Sequence, residues 1–128
     1  MTDNARIRFL VLFSISPEKM TEVGDFVAGQ LSRRFGGATV LHSTDNATLT
    51  GFWADDGQEF KSAYEGVIHK EPVISLVLSV LPEDEEEAYS QIKATLAQAA
   101  KRFALDCRHV HVETLRASAR HFDLQAEA

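Results

Sequence analysis

Apolar and polar residues alternate over residues 7–15, with Ile7, Phe9, Val11, Phe13 and Ile15 at every second position. An extended strand places such a set on one face. Arg6, Arg8, Leu10, Leu12 and Ser14 share the other face, polar at one end and apolar in the middle, which suits a central strand. The spacing then changes. Met20, Val23, Val27, Leu31 and Phe35 recur at helical intervals. Ser16 is placed to cap this helix, with Pro17 at its first position and Glu18 near the positive end of the dipole. Gly36-Gly37 stops it. Gly24 and Gly29 either weaken the helix or let it pack closely.

Two short β-rich runs follow, over 38–43 and 48–53. Asp45-Asn46 between them is a turn signal, and the three together predict a hairpin. Asp55-Asp56-Gly57 marks another turn. Residues 58–70 support two readings. One is a short helix carrying Phe60, Tyr64 and Val67, and the other is an irregular loop lying over the sheet. Gly66 and Pro72 break any long helix here.

The stretch 71–115 is the most strongly patterned part of the chain. Ile74, Leu76, Leu78 and Val80 alternate along a strand, with Ser75, Val77 and Ser79 on its other face. Pro82 opens a second helix, acidic over 83–87 and basic at Lys101 and Arg102, as the helix dipole favours. Ala88, Ile92, Leu96, Ala99 and Phe103 form its buried stripe. A last strand is predicted over 107–115, with Val110 and Val112 toward the helices. Residues 116–128, polar and Ala-rich, are expected to be a frayed helix or a tail. The resulting order, β-α-β(β)-β-α-β, is the split βαβ, ferredoxin-like pattern. It predicts an α+β sandwich: an antiparallel sheet with two helices on one face, the other face open, in one domain over 1–115.

Composition narrows the classes. A chain of 128 residues suits a single core, and 45% hydrophobic with 25% charged residues is ordinary for a globular protein. A net charge of -6 disfavours nucleic acid or an anionic membrane as partner. No apolar run approaches the roughly 20 residues of a membrane helix. The single cysteine, Cys107, excludes an intramolecular disulfide and a four-cysteine zinc site. With no basic segment leading into an apolar run and a cleavage site, a reduced, cytoplasmic location is expected.

The run Gly37-Ala38-Thr39-Val40, then Phe52-Trp53, then Gly66-Val67-Ile68 and Glu71 leading into an apolar strand, resembles a family of small uncharacterised bacterial ferredoxin-like domains. The segment between Trp53 and Glu71 is longer here. That family brings no established activity, so the resemblance implies a fold and no site. The overall pattern is also similar to dimeric α+β barrel proteins and to nitrogen-regulatory PII-like proteins, without a diagnostic motif of either.

Candidate chemistry gathers in two places. Cys107, His109, His111 and Glu113 fall at alternate positions of the last strand, roughly 6.5–7 Å apart. Two imidazoles so spaced can converge on a metal, and thiolate and carboxylate are zinc-compatible ligands. Four ligands in a line cannot all reach one tetrahedral ion, so help would have to come from elsewhere, such as His42 or His69. The plainer reading is a half-exposed sheet face with Glu113 paired to Arg8 on the first strand. One of these histidines is also a candidate acid–base group, since imidazole titrates near neutrality. The second place is Trp53, Phe60, Tyr64 and His69, read either as a ligand-pocket wall or as a hydrophobic cluster closing one end of the sheet.

Other features reduce to structure. The acidic run 83–87 splays around a helix and is read as solvated. Gly36-Gly37 follows a helix and precedes a strand, the reverse of a phosphate loop. Cys107 as nucleophile competes with simple packing. No Ser/His/Asp set is placed and no cofactor is specified. Three expectations result. The leading one is a non-catalytic binding module that forms a homodimer through the open face of Leu10, Leu12 and Val77. The second is a small enzyme or metal-binding protein using His109 and His111. The third is a regulator that binds a small metabolite under a mobile 58–70 segment.

Overall fold

The computed structural model describes residues 4–42 and 49–126. Its centre is β1 (Ala5–Ser14), flanked by β4 (Ile68–Val80) and β5 (Val110–Ser118), both antiparallel to it. Register fixes the faces. Phe9 lies opposite Leu78 and Thr114, and Val11 opposite Leu76 and Val112. Phe9, Val11, Leu76 and Leu78 are buried, so this face carries the helices. Residues opposite one another across a sheet point the same way. Leu10, Val77 and Glu113 therefore share the other face, as do Leu12, Ser75 and His111.

Both helices start alike, from a 3₁₀ turn opened by proline. Pro17–Lys19 leads into α1 (Met20–Phe35), and Pro82–Asp84 into α2 (Glu85–Arg102). Ser16 caps through its backbone carbonyl, which accepts from the Lys19 amide at 3.0 Å; its side chain makes no capping bond. Met20, Val23, Val27 and Leu31 of α1 and Ala88, Ile92 and Ala99 of α2 complete the core. Each large side chain buried here contributes roughly 1.5–3 kcal/mol. Gly36 ends α1 in the left-handed conformation (φ 95°), which a side chain would oppose. Gly24 is a packing glycine, because a Cβ there would lie 3.1 Å from Val40 Cγ1. At the far end, Phe26 meets Phe103 edge-on at 5.9 Å, and Lys19 Nζ donates to the carbonyls of Phe103 and Ala104.

The predicted hairpin is corrected. β2 (Thr39–Leu41) and β3 (Thr50–Ala54) do not pair with each other among the described residues. Both pair antiparallel with β4, β2 against residues 75–77 and β3 against 68–72, end to end along one edge. The expected turn at Asp45-Asn46 lies outside the described residues. Among those described, the sheet has five strands, with β2-β4-β1-β5 across it and β3 beside β2 on β4.

β4 is longer than its apolar alternation suggested, because it runs through Pro72. The Val73 amide donates to Leu49 O (2.9 Å), so by strand alternation the Pro72 nitrogen faces the β1 side. There β1 has ended, its register closing at Ser14 opposite Val73, and no ladder bond is lost. Beyond that point β3 and β4 continue as a two-stranded arm. Residues 55–67 join its strands as an irregular loop with no helix. β5 starts three residues later than expected and ends at Ser118, so residues 116–118 belong to the sheet. Ala119 N–H then bonds to Asn4 O at 2.8 Å.

Candidate functional site

The uncovered face of the sheet runs from the arm to the β5 edge. At its centre Leu10, Leu12, Val73 and Val77 are half-buried, and Ser75, between Leu12 and Leu41, is buried. Leu41 and Leu115, on the flanking strands, remain 50% and 53% exposed. The face thus has an apolar middle with a polar rim of Arg8, Ser79, His111 and Glu113.

On the β5 side, His111 Nε2 and Glu113 Oε2 are 2.6 Å apart, an exposed pair two residues apart on one strand face. Glu113 lies opposite Leu10, and Arg8 opposite Leu115, so the expected Glu113–Arg8 pairing gives way to His111. Cys107 and His109 precede β5, and the alternation that was to align them with His111 does not hold there. Cys107 instead packs against the core, its thiol donating to His109 O at 3.4 Å. Burial pushes this thiol above its ordinary pKa, outweighing the backbone hydrogen bonds that favour the thiolate. His109 is exposed. With His42 and His69 included, no three His, Cys, Asp or Glu side chains among the described residues are placed to hold one metal ion.

On the arm, Trp53 lies opposite His69 and their rings sit 5.7 Å apart at 30°. His69 Nε2 is hydrogen-bonded to an Asp55 carboxylate oxygen. This contact orients the imidazole. Tyr64 does not join them: its hydroxyl accepts from the Lys61 amide at 3.3 Å, inside the loop. Phe60 is fully exposed, so it closes no cluster.

The 55–67 loop is held by Asp56. Its carboxylate accepts from Lys61 Nζ (2.9 Å), Gly66 N (3.1 Å) and Glu65 N (3.2 Å). The Lys61 ammonium, followed by those amides, holds the Asp56 carboxyl below its usual pKa, and Asp56 and Glu59 hold Lys61 above its own. Residue 66 must be glycine, because a Cβ there would lie 2.7 Å from Asp56 Oδ1. Sequence reasoning read Asp55-Asp56 as a turn and missed both carboxylates as partners. The signal available was the turn-forming Asp type itself, whose side chain commonly bonds backbone amides nearby.

The candidate residues therefore form two groups: His111 with Glu113 on β5, and Trp53 with His69 and Asp55 on the arm. Neither a protein-family model nor a curated protein matches this chain.

Proposed function

We propose that the protein is a non-catalytic interaction module: a ferredoxin-like sandwich that forms a twofold homodimer through its open sheet face. The observation that carries this is the apolar middle of that face, Leu10, Leu12, Val73 and Val77 with Leu41 and Leu115, over which no third layer packs among the described residues. Contiguous apolar surface of this kind is favourably buried by association, and twofold pairing is its commonest form. A polar rim around an apolar centre is also the usual anatomy of an interface. A half-buried free thiol suits a reducing compartment, and we assign the protein to the cytoplasm.

Sedimentation of the purified chain tests the reading. Association at micromolar concentration is expected, and Leu12→Glu should remove the open-face contact and lower the association state while the chain stays folded. A wild-type chain that sediments as a monomer refutes it.

The arm favours a second reading, a small-molecule site at Trp53 and His69. Asp55 holds the imidazole beside an indole that is 43% exposed, an arrangement suited to a flat, hydrogen-bonding ligand. Screening flat, hydrogen-bonding metabolites by quenching of Trp53, the single tryptophan, tests this directly. Quenching that survives His69→Ala and Asp55→Ala unchanged counts against it.

A further inference from the structure

The two edges of the sheet differ. One edge is divided between β2 and β3, of three and five residues. The other is β5, nine residues long, whose register with β1 runs unbroken from Val110 opposite Phe13 to Ser118 opposite Ala5. Among the described residues β5 pairs with β1 alone, and its outer backbone edge is uncovered. Edge strands are ordinarily protected by proline, a bulge or shortness. β5 has no proline and no bulge, and it carries β-branched Val110, Val112 and Thr114 at alternate positions.

Its polar side chains are self-complementary in one register. A twofold axis normal to the sheet pairs two copies of β5 antiparallel and keeps their helices on the same side. Opposed residues must then share a face, so the axis passes through a residue. Through Val112, His111 of each copy lies opposite the partner's Glu113, and Val110 opposite the partner's Thr114. Through Thr114, Glu113 meets only Leu115, and Val112 meets Arg116. Through Val110, His109 meets His111. Through His111 or Glu113, identical side chains of the two copies meet on the axis. Of the axes within β5, only that through Val112 sets His111 of the strand against the partner's Glu113, and it does so twice. The same two side chains already bond within one chain at 2.6 Å, so imidazole and carboxylate are matched hydrogen-bonding partners before a second copy adds to them.

We propose that β5 is a self-association edge: a second copy of this chain adds its own β5 antiparallel about Val112, with His111 against the partner's Glu113. This interface is distinct from the open face and does not depend on it. Main-chain hydrogen bonds supply the adhesion, as in strand addition generally, and the His111–Glu113 pairs set the register.

Cysteine cross-linking tests the register. In a Cys107→Ala background, Val112→Cys places two thiols on the axis, where opposed Cα atoms are roughly 4.5–5.5 Å apart, within disulfide reach. Mild oxidation should give a covalent dimer by intact mass. Thr114→Cys in the same background should not. A cross-link through residue 114 alone, or through neither, overturns the proposal.

Because Val112 also touches the core, an exposed pair provides a second test. His111→Glu sets like charges opposite one another and should weaken the β5 association about tenfold. The swap His111→Glu with Glu113→His should restore it. No weakening in the single variant, or no recovery in the swap, counts against the register. Leu12→Glu must leave the Val112→Cys cross-link in place, so loss of the open-face contact and loss of the edge contact are read separately.

Discussion

Ala104 adopts φ 51°, a left-handed conformation that side chains resist. It ends α2: the Leu105 amide reaches back to Ala100 O at 3.0 Å, and the Phe103 amide to Ala99 O at 2.9 Å. Glycine would fit this position without the Cβ penalty, so Ala104→Gly should stabilise the fold by about 1 kcal/mol in urea titration. Lys19, which donates to the carbonyls of Phe103 and Ala104, complements the same helix end. Lys19→Met should cost about 1 kcal/mol. Two ionisable residues set a pH dependence. The carboxyl of Asp56 is held low by Lys61, so its contribution is present above the unfolded value near 4 and is lost as pH falls through the lower folded one. The 55–67 loop should therefore open first in acid, read by proteolysis, and Asp56→Asn should open it at neutral pH. Cys107 has the opposite sign. Its neutral thiol is favoured by folding, so its contribution is complete below about 8.5 and declines as pH rises toward the raised folded value. At pH 8 iodoacetamide should modify it more slowly in the folded chain than in urea. The Lys19 contact and the Ala104 torsion are not legible in sequence, because one depends on a partner far along the chain and the other on a single backbone torsion, whereas Asp56 was signalled only by its turn-forming residue type.

Elements were legible in proportion to how local their causes are. Both helices and the alternation of β1 could be read because period and punctuation lie within the segment: Pro17, Gly36, Pro82 and the flanking charges. β2 and β3 were read as a hairpin because two β-rich runs flanked a turn signal. Their partner, β4, registers with β2 from Thr39 opposite Val77 to Leu41 opposite Ser75 and with β3 from Thr50 opposite Pro72 to Ala54 opposite Ile68, across intervening chain that nothing local specifies. Pro72 breaks any long helix, as its residue type predicts, and it is tolerated within β4 because there β4 lacks a neighbour on one side. That geometry makes a sharp contrast. Pro72→Ala should change stability by less than about 1 kcal/mol. Val73→Pro, one residue on, removes the bond to Leu49 and should cost about 3 kcal/mol or more. The start of β5 was misplaced for a related reason. Cys107, His109 and His111 continue its alternation on paper, while residues 105–109, after the turn that ends α2, are irregular.

At the scale of the whole molecule, the described residues form a sheet covered on one side. That asymmetry was foreseeable, since the two faces of β1 already differ in polarity and two amphipathic helices are enough for one face only. The candidate site was legible in part: Trp53 with His69, and His111 with Glu113, are brought together, while Tyr64, His109 and Cys107 fall elsewhere. The 55–67 loop, at the far end of the arm, lies outside the buried core and divides the chain unequally in kind. A break between Gln58 and Glu59 leaves β1 and α1 on one fragment and β4, α2 and β5 on the other. β1 is the strand on which both of its neighbours register, so neither fragment can close a core alone. Mixed together, the two should fold on each other as complementing halves, which makes the chain a natural split reporter with its seam built into the loop.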